Sequence, residues 1–317
     1  MVGFDHESRQ YLACKEATAP NMRTTFKQYI SYLEPWDRHL LQDNQTIDHT
    51  TLTDNIPTES MCTIVSDGGM ADGYGSFGWA ISIDHNTLLG RGEAQGQRDL
   101  MQSFRAEGYG MLSALRFLLH ACTYSNTWPQ HKKTIKTYCD NLGLIQRLRW
   151  HGKRTTTTPK NASAPDYDIE ISITTTIDQL AAHNIVIQPL HVRGHQDKHK
   201  KYHQLSREEQ LNVDADGEAT AALRFHRKTE EYHTLEHANT MLYIEGRPVT
   251  SNEANTIRTA YLSKLLRKHM IQREQWQAHV PDLINWAAHK RSLNKLNKMD
   301  KTRIHKFLHR CLPTNKK

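Results

Sequence analysis

The feature that most constrains this chain is a change of hydrophobic period near residue 100. Upstream lie two short β-branched runs, C-T-I-V-S (62–66) and W-A-I-S-I (79–83), and a third strand-like run over Thr87–Ala94. A glycine-rich stretch, 68–78, separates the first two and reads as a turn. Connections this short favour an antiparallel meander. From 101 to 122 the period changes. Phe104, Gly108, Met111, Leu115, Leu118 and Cys122 recur at spacings of four and three, which predicts an amphipathic helix. A strand follows at T-I-K-T-Y-C (134–139), then helices over about 141–150 and 168–183, a strand at I-V-I-Q-P-L-H-V (185–192), and a last helix from near Asn212. The order βββ-α-β-α-β-α predicts an α/β fold, a mixed five-stranded sheet covered by helices.

The segments outside this pattern have their own character. Residues 1–60 are polar, with short apolar patches such as Tyr29-Ile30 and Leu40-Leu41, and are expected to form a polar, partly helical N-terminal flank. The sheet domain is expected to occupy 61–230. Within it, 151–166 is too polar and proline-interrupted for a core and predicts a loop. After about 230 basic amphipathic helices take over, with Ile257, Tyr261, Leu262, Leu265 and Leu266 on one stripe, so 231–317 is expected to form a second, basic helical region. The net charge of +7 hides an asymmetry: residues 256–317 hold 15 lysines and arginines against 3 acids. A basic segment beside a mildly acidic body points to a phosphate-rich partner.

Other classes are excluded on similar grounds. The five cysteines (Cys14, Cys62, Cys122, Cys139, Cys311) have no C-x-x-C spacing, so reduced thiols in a soluble intracellular protein are expected. No apolar run reaches the length of a membrane span and no signal-peptide core opens the chain, so no membrane partner is expected. His305 and His309 share a helix face near Cys311, but no further ligands follow, and a zinc site there is not expected.

Four acids stand where the predicted layout gathers them. Asp67 ends the first strand in S-D-G-G, Glu107 opens the long helix in R-A-E-G-Y-G, Asp140 ends the fourth strand in Y-C-D-N, and Asp216 lies in the last helix in L-N-V-D-A-D. Strand ends before crossover helices are where open α/β sheets hold ligands. Carboxylates converging on one rim repel each other, and divalent cations relieve that conflict. Hard oxygen donors suit Mg²⁺, and two such ions can activate a water and stabilise the leaving oxygen of a phosphodiester.

Together with G-Y-G-S-F-G-W-A and H-V-R-G-H-Q-D, these motifs resemble, in order and over residues 61–230, the type 1 ribonuclease H domain, particularly the form found in reverse-transcribing retroelements. The resemblance implies a ribonuclease H-like sheet and a metal site of Asp67, Glu107, Asp140 and Asp216, holding two Mg²⁺ ions with Mn²⁺ able to substitute. It implies no small-molecule cofactor. It further implies that His195, in the loop before the last helix, moves protons or helps product leave. The implied reaction is endonucleolytic hydrolysis of the RNA strand of an RNA–DNA hybrid, leaving 3′-hydroxyl and 5′-phosphate ends. Asp214 and Asp216 cannot face the same way on a helix. The family's Asn one turn before its last acid matches Asn212 to Asp216, so Asp216 is the expected ligand.

Asn141, Asn212, Arg105, Arg147 and Arg149 are candidates for contacts to the hybrid, the last two in the cation-rich R-L-R-W-H-G-K-R (147–154). The rival readings are a catalytically dead nucleic-acid-binding remnant of a retroelement polyprotein and another nuclease of the same superfold. H-V-R-G-H-Q-D, ahead of the final acid, argues against the second.

Overall fold

The computed structural model of the chain describes residues 2–5, 10–13, 25–45, 47–58, 61–84, 86–96, 101–151, 164–224, 233–235, 242–244 and 246–308. Two strands, β1 (Val2–Asp5) and β2 (Gln10–Ala13), pair as an antiparallel hairpin. Three short helices follow: α1 (Phe26–Ser31), α2 (Pro35–Leu41) and α3 (His49–Asn55). The expected meander is β3 (Cys62–Ala71), β4 (Tyr74–Ile83) and β5 (Asn86–Ala94). Then come α4 (Ser103–Ser125), β6 (Lys133–Cys139), α5 (Leu142–His151), α6 (Tyr167–Ala181), β7 (Ile185–His191) and α7 (Arg207–Arg224).

These five strands form one sheet in the order β5-β4-β3-β6-β7. The β3–β4 and β4–β5 pairs are antiparallel, and the β3–β6 and β6–β7 pairs parallel. The fold is thus the mixed five-stranded α/β sheet that the order of elements predicts. One face packs against α4, α5 and α6, whose Leu112, Leu115, Leu144, Ile169 and Ile173 share a core with Ile64 and Ile135. The other face lies under α7, where Val65, Ala80, Val192 and Leu211 form a smaller cluster.

The glycine-rich stretch differs from its sequence reading. Only Asp72 and Gly73 turn, at φ of 51° and 81°, the positive values that a two-residue hairpin needs at both positions. The flanking glycines are strand residues, and their role is approach. A Cβ on Gly68 would stand 2.3 Å from the Glu107 backbone nitrogen, and one on Gly78 only 2.1 Å from the Ala215 carbonyl oxygen. Bare strand backbone at these two points lets α4 and α7 lie directly on opposite faces of the sheet.

Residues 25–56 are also more than the polar flank expected. Phe26, Ile30, Trp36, Leu40, Leu41, Leu52 and Ile56 are buried in the same core as α4. An ionic cluster holds α2 to that helix. Arg116 pairs with the Asp37 carboxylate, and His120 lies 2.6 Å from the same carboxylate and 2.8 Å from the Tyr29 hydroxyl. The flank is partly helical as expected, but helices of six or seven residues are too short to display a period, so the sequence does not reveal their places or their burial.

Contacts divide the chain at 253, later than the expected 230. The earlier unit retains Leu235, which is part of its core, and the hairpin of β8 (Leu242–Ile244) and β9 (Arg247–Val249). Thr250, just beyond that hairpin, accepts the Asp166 amide at 2.7 Å. The second unit, 254–317, is helical: most of α8 (Glu253–Glu274), then α9 (Val280–Leu283), α10 (Trp286–Asn294) and α11 (Lys298–Leu308). The expected apolar stripe lies on α8, and Arg267 makes a two-pronged ion pair with Asp282. No helix among the described residues is long and apolar enough to cross a membrane. His309, Cys311, Cys14 and the loop residues 152–163 lie outside the described residues.

Candidate metal centre

Sheet register brings the first and third acids together. Ser66 is the parallel partner of Cys139, so Asp67, which lies inside β3 and not at its end as expected, stands beside Asp140, one residue past the end of β6. Gly68 lets the second turn of α4 press on β3 beside Asp67, which carries Glu107 into the same place. Asp216 arrives from α7. A glycine closes the rim from the far side: a Cβ on Gly194 would lie 2.1 Å from Asp140 Oδ2, so any side chain there would displace that carboxylate.

The electrostatics show how close these groups are. Burial pushes the Asp67 carboxyl from 3.8 up to about 7, Asp140 and Asp216 push in the same direction, and the Gly68 amide, donating at 2.7 Å, pulls back. Glu107 is raised well above the usual carboxylate range by burial first, then by Asp67 and Asp140. The Cys139 thiol donates to Glu107 Oε2 at 3.4 Å, and one ligand atom each from Glu107, Cys139 and Asp140 lies within 4.8 Å of the others. Among the described residues no lysine or arginine pairs with any of the four acids. Two buried carboxylates held above their ordinary range, with two more beside them and no protein cation, form a donor set that hard divalent ions fit.

The two acids of α7 have different surroundings. Asp214 accepts the Tyr202 hydroxyl at 3.0 and 2.9 Å, whereas Asp216 acts on Asp67. Asn212, one turn before Asp216, is buried, and its Oδ1 has no hydrogen-bond partner among the described residues. His195 is exposed at φ 54°, directly after the Gly194 that touches Asp140.

The expected hybrid contacts fare unevenly. Arg105 is a correction, because it is fully buried. Its guanidinium bonds to Asp166 at 3.1 Å and to Asp168 at 2.9 and 2.8 Å, and its Nε donates to the Gln95 carbonyl. The end of the expected loop is therefore core at Asp166. Asn141 caps α5, its Oδ1 accepting the Leu144 amide at 3.1 Å. Arg147 donates to the Pro165 carbonyl at 2.7 Å and sits over the Phe104 ring. Arg149 donates twice to the Pro189 carbonyl. Sequence reasoning missed Cys139 as a neighbour of Glu107, although its place immediately before Asp140 offered the signal.

Arg105→Ala should destabilise the fold by about 3–5 kcal/mol, since it strands two buried carboxylates without their cation. Chemical denaturation measures this. A variant as stable as the parent that binds nucleic acid less well would restore Arg105 to a surface role.

No family model and no curated protein matches the chain. Among solved structures it is similar to the RNase H1 of the halophilic archaeon Halobacterium salinarum NRC-1, at 15% identity and a TM-score of 0.33 over 52% of this chain and 99% of that one. It is also similar to the N-terminal RNase H domain of Rv2228c from Mycobacterium tuberculosis, at 14% identity and a TM-score of 0.32 over 53% and 96% of the two chains. A third likeness, at 15% identity and a TM-score of 0.33 over 52% and 97%, is to LC11-RNase H1 in complex with an RNA/DNA hybrid. Each likeness is one of fold, over about half of this chain.

Proposed function

We propose that the sheet domain, residues 61–230 with the docked helices of 25–56, hydrolyses the RNA strand of RNA–DNA hybrids. The observation that carries this reading is the convergence of Asp67, Glu107, Asp140 and Asp216 from four separate elements, two of them forced toward protonation by burial and mutual repulsion. Asp67, Glu107, Asp140 and Asp216 would hold Mg²⁺, or Mn²⁺ in its place. Bound there, a pair of such ions supplies positive charge against the scissile phosphate and its leaving oxygen. The chain's own contribution is to fix the four carboxylates before substrate arrives, three on β3, α4 and α7 and Asp140 in the short bend between β6 and α5. His195 stands exposed beside the rim, where its ring nitrogens can accept or return a proton. The basic segment 256–317 supports a phosphate-rich partner by charge alone. The motif set, through its resemblance, supports descent from a retroelement. A polymerase-like segment in the reading frame around this sequence would bear on that origin.

Incubating the protein with labelled hybrid, duplex DNA and duplex RNA, with Mg²⁺ or with chelator, tests the reading. Cleavage confined to the hybrid and to the Mg²⁺ samples is expected. Binding without cleavage would select the dead remnant, and cutting of duplex DNA another nuclease of the superfold. His195→Ala should slow turnover by roughly 10²-fold and flatten its pH profile, with residual activity left by the carboxylate site. A variant that matches the parent from about pH 6 to 9 would remove His195 from the mechanism.

A further inference from the structure

One member of the cluster at the rim is not a hard ligand. Cys139 ends β6 at the edge of the buried core, with its sulfur in hydrogen-bond contact with Glu107. We infer that Glu107, Cys139 and Asp140 form a capture site for a thiophilic divalent cation, Zn²⁺ or Cd²⁺, that competes with the hard-ion site by taking two of its four carboxylates. This deepens the metal-centre reading above and rests on it for Glu107 and Asp140.

The spacing supports it. Zinc–sulfur and zinc–oxygen bonds of about 2.3 and 2.0 Å at a tetrahedral angle place sulfur and oxygen roughly 3.5 Å apart. Cys139 Sγ and Glu107 Oε2 are 3.4 Å apart, and the third ligand atom, from Asp140, completes a set lying within 4.8 Å. Three protein ligands with a fourth position left to water is a common zinc arrangement. The Asn141 amide donates to the same sulfur at 3.4 Å, and such an outer bond steadies a metal-bound thiolate. Asp140 is only half-buried, which gives a cation a way in. Softness decides between ions: thiolate favours Zn²⁺ and Cd²⁺ and offers nothing to Mg²⁺. As the sulfur–metal bond forms, the S–H bond breaks and its proton leaves to solvent.

The test is direct titration of the metal-free, full-length protein with Cd²⁺, reading the ultraviolet thiolate-to-cadmium charge-transfer band. One equivalent should saturate the band in the parent. Cys139→Ser should abolish it and weaken Cd²⁺ binding by at least about 10²-fold, more than the loss of an outer-shell partner costs, while Mg²⁺ affinity is unchanged. Asp216→Asn, outside the triad, should keep the band, and Glu107→Gln should weaken it. Should Cys139→Ser not fold, replacing the other four cysteines by serine gives the second arm: the band should survive in a protein whose remaining thiol is Cys139. A band that persists in Cys139→Ser, or disappears when only Cys139 remains, overturns the proposal, as does a parent without a stoichiometric band. The readout does not depend on catalysis. A protein with no nuclease activity but a Cys139-dependent band would refute the function above and keep this site, and an active nuclease without the band would do the reverse.

Discussion

Raising the pH from about 4 to 8 in the absence of divalent cations should destabilise this protein by several kcal/mol, and Mg²⁺ should reverse the loss. Asp67 titrates near 7 when folded, against an ordinary 3.8. Between those values the folded state keeps a proton that the unfolded chain has released, so stability falls as pH rises across that window. That difference is worth roughly 4 kcal/mol, with relaxation of the site reducing it. Glu107, raised for the same reasons, acts in the same direction. Asp67→Asn removes one of the crowded charges. It should flatten the profile and, in chelator at pH about 8, be more stable than the parent. Urea denaturation at both ends of the range, with chelator and with Mg²⁺, measures all of this. A metal-free parent that is more stable at pH 8 than at pH 5 would show that the four carboxylates do not crowd one another.

Asp140→Asn should reduce hybrid cleavage by about 10³-fold or more. The substitution keeps shape and removes a charged ligand, and metal-centred charge stabilisation in phosphodiester hydrolysis is worth several kcal/mol, at 1.36 kcal/mol per tenfold in rate. Asp67→Asn should behave alike. Hybrid affinity should hardly change, because contacts to phosphates are spread over the surface and do not depend on one carboxylate. The pairing of lost turnover with retained binding separates a ligand from a fold-bearing residue. Cleavage by Asp140→Asn at the parental rate would remove that acid from the site.

The legible parts of this fold were those with a long or repeated period. The strands around Val65, Ile81 and Ile187 and the helix bearing Leu115 and Leu118 are visible because alternation and the 3.6-residue stripe extend over enough positions. The four acids stood out in the sequence through their motifs and order; the register that sets Asp67 beside Asp140, and the extension of β3 past Asp67 to Ala71, come only with the assembled sheet. What remained hidden depends on distant partners. Gly68 and Gly78 look like turn residues until the helix backbones that cover them are in place. Arg105 looks like a surface cation until Asp166 and Asp168, some sixty residues away, enclose it. Phe26, Trp36 and Leu52 sit on helices too short to show a stripe, so their burial is a property of the assembled core.

The most direct test of the metal-centre function is to map both strands of one hybrid after incubation with Mg²⁺, each strand carrying its own end label. Internal cuts confined to the RNA strand, with 5′-phosphate on the downstream fragments and an intact DNA strand, are the expected result. Cuts in the DNA strand, RNA cuts that persist in chelator, or no cuts in a protein that binds the hybrid would contradict it.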